Sequence, residues 1–203
     1  PDPAFEAAYG ALENGNAPLL TITGPLTNWK YLNSRQKSFV LEGAGPAEEL
    51  LPEPNPSFAY FDATNWDVTG YPPLYGFLGD YQILQPYETL LGQRVRGISL
   101  NQPMMSLIKG TTRREAVLFG EGVWKWRMHT YARDADFQNF DALFNKVWLF
   151  LTAGKEGERL SLGYESLSDG KKAAVIRARY YDEALRIDPS APLTLQLNDS
   201  TGA

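Results

Sequence analysis

The chain has no cysteine and one histidine, His129. The first absence excludes disulfides, Cys-ligated zinc, iron–sulfur clusters and thiol nucleophiles. The second excludes a multi-histidine metal site and any mechanism that needs two imidazoles. Neither assigns a compartment, because an oxidising environment permits disulfides without requiring them. Basic runs are also missing: with a net charge of −5 and a pI near 5.0 the chain lacks the positive field that non-specific binding to nucleic acid requires. No apolar stretch approaches the roughly 18 residues needed to span a bilayer, and Val147 to Leu151 is the longest run of large apolar side chains. The chain begins at Pro1, with no initiator methionine and no apolar signal core, so targeting and membrane segments are not expected within it. No internal repeat or low-complexity tract is present.

What remains is ordinary globular composition, 43% hydrophobic and 21% charged over 203 residues, enough for one good-sized domain with a small appendage. Asp2-Pro3 reads as a helix start, and Phe5, Ala8, Tyr9 and Leu12 keep helical spacing up to Gly15. Pro18 to Thr23 then reads as a short strand. A helix feeding such a strand is the second half of a βαβ unit, which leads us to expect a piece of a longer chain. Gly24-Pro25-Leu26-Thr27 follows as a loop, with Thr27 capping a short helix through Leu32. Short strands are expected at Ser38–Leu41, Ser57–Phe61, Tyr81–Leu84 and Arg94–Ser99. The breakers Gly43, Gly45, Pro46, Pro52, Pro54 and Pro56 argue against a regular element between the first two. YPPLYGFLGDYQI from Tyr71 reads as an ordered loop packed by its own aromatics. Pro103–Lys109 and Arg114–Phe119 flank Gly110-Thr111-Thr112 as a hairpin.

The chain is organised around Glu115 to Arg133, which reads as strand, glycine turn and helix. A second helix runs from Phe137 to Leu151, with Asp136 as cap and Gly154 as stop. After Gly157 the pattern alternates, giving strands at Leu160–Tyr164, Ala174–Tyr180 and Leu193–Leu197 with turns at Ser168-Asp169-Gly170 and Asp188-Pro189-Ser190. These readings predict an α/β domain over 1–155, lacking its N-terminal part, and a β-rich segment over 156–203 that resembles the opening of a β-sandwich.

Function is sought first at the carboxyl end of the central strand. In Gly120-Glu121-Gly122, two glycines at a strand-to-helix turn allow amides to converge on an anion; alternatively the turn needs residues without Cβ and Glu121 complements the helix dipole. The Gly24 to Thr27 loop is the matching candidate at the end of the first strand. Within the helix, Trp124, Met128 and Tyr131 share one face and are assigned to the core. Trp126, Arg127 and His129 either line a pocket, with Arg127 holding a carboxylate, or pack under the Tyr71–Tyr81 loop with Arg127 satisfying Glu121 or buried carbonyls. His129 as a base would need Ser106, Thr130 or Asp134 within reach, and no G-x-S-x-G elbow is present. Asp62, Asp67 and Asp80 lie near aromatic loops, where a carbohydrate-binding or hydrolase module would carry paired acids. No cofactor and no metal is expected.

The runs YPPLYGFLG, PMMSLIKGTTRREAVLFGEGVWKWRMHTYAR and DFQNFDALFNKVWLFL resemble the periplasmic region of large bacterial membrane proteins with a class I glutamine-amidotransferase-like domain, often found alongside von Willebrand factor A-like proteins. ENGNAPLLTITGPLTN resembles the earlier strand and loop of that region, and KKAAVIRARYYDEALRIDPSAPLTLQLND the start of the immunoglobulin-like segment that follows it. The resemblance implies a partly parallel, flavodoxin-like sheet and a periplasmic or envelope setting, with membrane attachment through segments outside this chain. True class I amidotransferases use a cysteine nucleophile with a histidine and a glutamate. This chain has no cysteine, so the resemblance implies a non-catalytic interaction or scaffold domain, with a protein or small-molecule ligand left open.

Overall fold

The computed structural model describes residues 3–63, 66–152, 160–164, 176–180 and 188–196. Its centre is a six-stranded mixed sheet in the order β1-β8-β7-β6-β3-β4. These strands are β1 (Leu19–Thr23), β3 (Ala47–Pro54), β4 (Leu74–Phe77), β6 (Tyr87–Val95), β7 (Ile98–Lys109) and β8 (Arg114–Phe119). β2 (Phe39–Glu42) and β5 (Asp80–Ile83) form a separate antiparallel pair, as do β9 (Leu160–Tyr164) and β10 (Ile176–Tyr180). Four helices complete the described elements: α1 (Pro3–Asn14), α2 (Trp29–Arg35), α3 (Trp124–Asp134) and α4 (Gln138–Thr152). Among the described residues no helix is long and apolar enough to cross a membrane.

This architecture overturns the expected α/β, flavodoxin- or amidotransferase-like sheet. Among the described strands only β1 and β8 are parallel, and every other pairing is antiparallel. The sheet also curls almost closed. Beyond its ladder with β3, β4 meets the chain just after β8, where the amide of Tyr75 donates to the Glu121 carbonyl at 3.0 Å and the amide of Glu121 to the Tyr75 carbonyl at 2.9 Å. A doubly wound sheet stays open and needs a helical crossover for each strand. Here hairpins join β6, β7 and β8, and strand-helix alternation is confined to α1-β1-α2-β2 and β8-α3.

Several individual differences have a clear cause. The Pro-rich stretch contains β3, because its first half pairs with β4 only as far as Leu50 while Leu51 to Pro54 pairs with β6. Pro52 and Pro54, two residues apart, turn their donor-less nitrogens to the side that β4 has left. The expected strand at Arg94–Ser99 is instead a hairpin tip: Val95 pairs with Ile98 around Arg96 (φ 50°) and Gly97 (φ 87°), both left-handed, as a two-residue turn between twisted strands requires. Residues 57–61 form no strand. They turn at Asn55, whose carbonyl accepts from the Phe58 amide at 3.2 Å, and pack through Phe58 against Phe61 and Tyr60 against Phe150. The loop expected from Tyr71 contains β4 and β5. Residues 193–196 form no strand; Leu197, the turn at Ser168-Asp169-Gly170 and the expected boundary at 154–157 lie outside the described residues.

β8 explains the arrangement of the core. Ala116 and Leu118 point to one face, with Leu50, Leu74, Leu91, Met105 and Leu107, and α3 and α4 bring Trp126, Leu143, Val147 and Phe150 to the same cluster. Val117 and Phe119 point to the other, packing with Tyr9 of α1, Trp29 and Leu32 of α2, Phe39, Leu41 and Tyr81. A strand buried on both faces reads as a continuous apolar run, which is why AVLF was legible as a buried strand. Arg113, just before β8, ties this layer to α1. Its Nε donates to Glu115 Oε1 at 3.0 Å, its Nη1 to the Leu12 carbonyl at 2.5 Å, and Ser38 Oγ donates to the same Glu115 oxygen at 2.9 Å.

Candidate functional site

The two glycine loops come together at the carboxyl ends of β1 and β8. The Gly120 amide donates to the Thr23 carbonyl at 3.0 Å. A Cβ on Gly24 would collide with Glu121 Oε2, so the Glu121 side chain rests on the Gly24 backbone. The Gly24 amide donates to Thr27 Oγ1, and the Thr27 amide returns to the Gly24 carbonyl, each at 2.9 Å. Four amides of the two loops, those of Gly24, Thr27, Gly120 and Glu121, are therefore engaged within the fold, and a carboxylate sits among them. That arrangement disfavours an anion. Gly120 has φ 144°, and a Cβ there would stand 2.8 Å from Leu74 Cβ. The glycine is what allows the chain after β8 to cross β4 and close the sheet.

α3 has two unlike faces, in the reverse of the expected sense. Trp126 and Thr130 point inward and are fully buried; Trp124, Met128 and Tyr131, expected in the core, face solvent. Trp126 stacks on Tyr71 at 5.3 Å and donates through Nε1 to the Pro72 carbonyl at 2.8 Å, so it packs beneath the segment that starts at Tyr71. Thr130 Oγ1 donates to the Trp126 carbonyl at 3.0 Å and lies 3.2 Å from the Tyr71 hydroxyl, which also accepts from Asn139 Nδ2 at 3.0 Å and Trp66 Nε1 at 3.3 Å. His129 is edge-on to Tyr71 at 5.7 Å and lies against Gly70.

The polar candidates each have local partners. Arg127 pairs with Asp141 of α4 (Nε to Oδ1 2.9 Å), neither with Glu121 nor with a buried carbonyl, and its guanidinium lies 3.7 Å above the Phe137 ring. The Asp141 hydrogen bond raises the Arg127 pKa above its usual range. Asp67 accepts from the Thr69 amide at 2.8 Å and from Arg133 at 2.7 Å, and Thr69 first and Arg133 after it hold its carboxyl below the usual range. Asp134 is lowered in the same sense, chiefly by its hydrogen bond to Arg133. Asp80, on β5, accepts from Gln82 at 2.9 Å and Gln102 at 3.2 Å, sharing no partner with Asp67. Asp62 lies in a third place, its carbonyl accepting from Lys146. Ser106 is buried on β7 and hydrogen-bonds Thr89 Oγ1 at 3.1 Å, a partnership within the sheet.

Sequence reasoning missed one surface feature. The outward face of β3 and β4 carries an open groove of about 480 Å³ lined by Glu49, Leu51, Pro73 and Tyr75, with an Arg96–Glu48 ion pair of 2.9 Å at its side. The proline-rich composition of 43–56 concealed the strand that forms its floor. Among the described residues no cluster of three or more His, Asp or Glu side chains is arranged to hold a metal. The chain is, at the level of class, a mostly β protein built on a nearly closed mixed sheet with α3 and α4 packed on one face and α1 and α2 on the other. No protein-family model, no curated protein and no solved structure matches it.

Proposed function

We propose that this chain is a non-catalytic interaction domain whose contact surface is the outward face of α3. One observation carries the reading: Trp124, Met128 and Tyr131 are 65%, 51% and 49% exposed on a single helix face, although the inward face of the same helix already anchors it to the core. A helix needs one apolar face to stay on its domain; a second, with a tryptophan at one end, is the composition of a binding surface. The envelope setting accompanies this proposal only through the residue runs quoted above.

The methionines provide the test. Met104 and Met105 are fully buried, and Met128 is exposed. In the purified chain at high dilution, a mild oxidant should convert Met128 to the sulfoxide while the other two resist. In the cells that make the protein, Met128 should be protected, because a partner covers it. Equal oxidation of Met128 in both settings would refute the assignment of this face.

A further inference from the structure

The outward face of α3 is complementary to itself, and we infer that it pairs with the same face of a second copy of this chain, the two helices running antiparallel about a two-fold axis. The inference rests on the interaction-domain reading and names the partner. Trp124, Met128 and Tyr131 are spaced by four and three residues, as seam positions of a coiled coil are, and the helix ends just beyond them at the left-handed Ala135 (φ 60°). In an antiparallel pair the layers form between seam positions of opposite type. Met128 then meets Tyr131 of the second copy in two layers related by the axis, and Trp124 lies over the C-terminal end of the second helix.

The flanks match as well. Arg127 and Asp134 occupy equivalent positions one heptad apart on the same side of the seam. Antiparallel pairing sets Arg127 of each copy, held by its own Asp141, beside Asp134 of the other, held by its own Arg133, so that one symmetry axis extends each ion pair by a second opposite-charge contact. A parallel pair would instead set each Arg127 near Ala132 of the second copy, on the opposite flank of the seam, and would form neither contact. The antiparallel arrangement also opposes the two helix dipoles. Order is provided in advance: Tyr131 stacks on Phe137 at 4.9 Å, and the Arg127 guanidinium lies on that same ring, so both side chains are held in place before association.

Sedimentation equilibrium of the whole chain tests this. The wild-type protein should show a concentration-dependent monomer–dimer equilibrium, and Met128→Asp should abolish it without altering the circular dichroism spectrum. Arg127→Asp and Asp134→Arg should each lower the association constant by about tenfold or more, since each juxtaposes like charges twice. An equimolar mixture of the two variants should recover association, because the copy with two acidic flanking residues then faces the copy with two basic ones. A wild-type monomer at all concentrations, or a mixture no more associated than its components, would overturn the proposal. Protection of Met128 in cells together with a strictly monomeric chain would leave the interaction surface standing with a different partner; loss of both results would remove both.

Discussion

Replacing Arg113 by methionine should be the most damaging single change of charge in the described fold. Arg113 and Glu115 form an ion pair at 3.0 Å with both side chains only 9% exposed, and Arg113 also donates to the Leu12 carbonyl near the end of α1. Methionine keeps most of the apolar stem, so the change isolates the guanidinium. It leaves the Glu115 carboxylate buried with Ser38 Oγ as a donor and removes a donor from the Leu12 carbonyl. Breaking a buried pair from one side costs about 3–5 kcal/mol, and the surviving Ser38 bond places the expectation near 3 kcal/mol. For a chain of this size a urea dependence of about 2–3 kcal/mol/M converts this to a midpoint lowered by about 1 M or more. Arg113→Met/Glu115→Gln removes both charges and should recover at least half of the loss. A single-variant shift below about 0.3 M, or a double variant no better than the single, would refute the claim that this pair secures α1 to the sheet.

Gly120→Ala should cost about 1–3 kcal/mol for the left-handed backbone and a similar amount for overpacking against Leu74, read as a lowered urea midpoint. Trp126→Ala should cost about 3–5 kcal/mol, because it empties a fully buried site and leaves the Pro72 carbonyl without its indole donor; a cost below about 1 kcal/mol in the same titration would contradict the burial. Alkaline pH should destabilise the fold through Tyr9, whose hydroxyl is pushed up to about 12, first by burial and then by Glu13. The unfolded chain ionises this group near pH 10, so its contribution is intact below pH 10 and is lost between about 10 and 12. Tyrosinate absorbance followed alongside circular dichroism, with Tyr9→Phe flattening the dependence, checks the sign.

Local elements were legible wherever one periodicity dominated. Tyr9 and Leu12 marked α1, and Asp136 marks the start of α4 through its Oδ1, which accepts from the Gln138 amide at 2.8 Å. The hairpin of β7 and β8 was equally readable from its two apolar runs and the glycine between them. The global fold was not, because the same strand-helix junction serves an open parallel sheet and a nearly closed antiparallel one. What distinguishes them is the pairing of β3 with β4 and β6, which Pro46, Pro52 and Pro54 hid. The orientation of α3 was hidden for a different reason. α3 carries apolar residues on two opposite faces, and a periodicity of 3.6 residues identifies both without saying which is inward. Trp126 packs beneath the segment from Tyr71, as one of its two readings had it; its partners Tyr71 and Pro72 lie more than fifty positions away, so helical spacing alone could not choose between the readings.

β8 has a consequence for how this molecule comes apart. Its alternate side chains belong to two separate apolar clusters, so β8 cannot leave the sheet without opening both. Opening of β8 is therefore a global event, whereas the elements packed on either face can open locally. A substitution beneath α2 is felt beneath α4 only in the openings that release β8, and not through a relay of contacts.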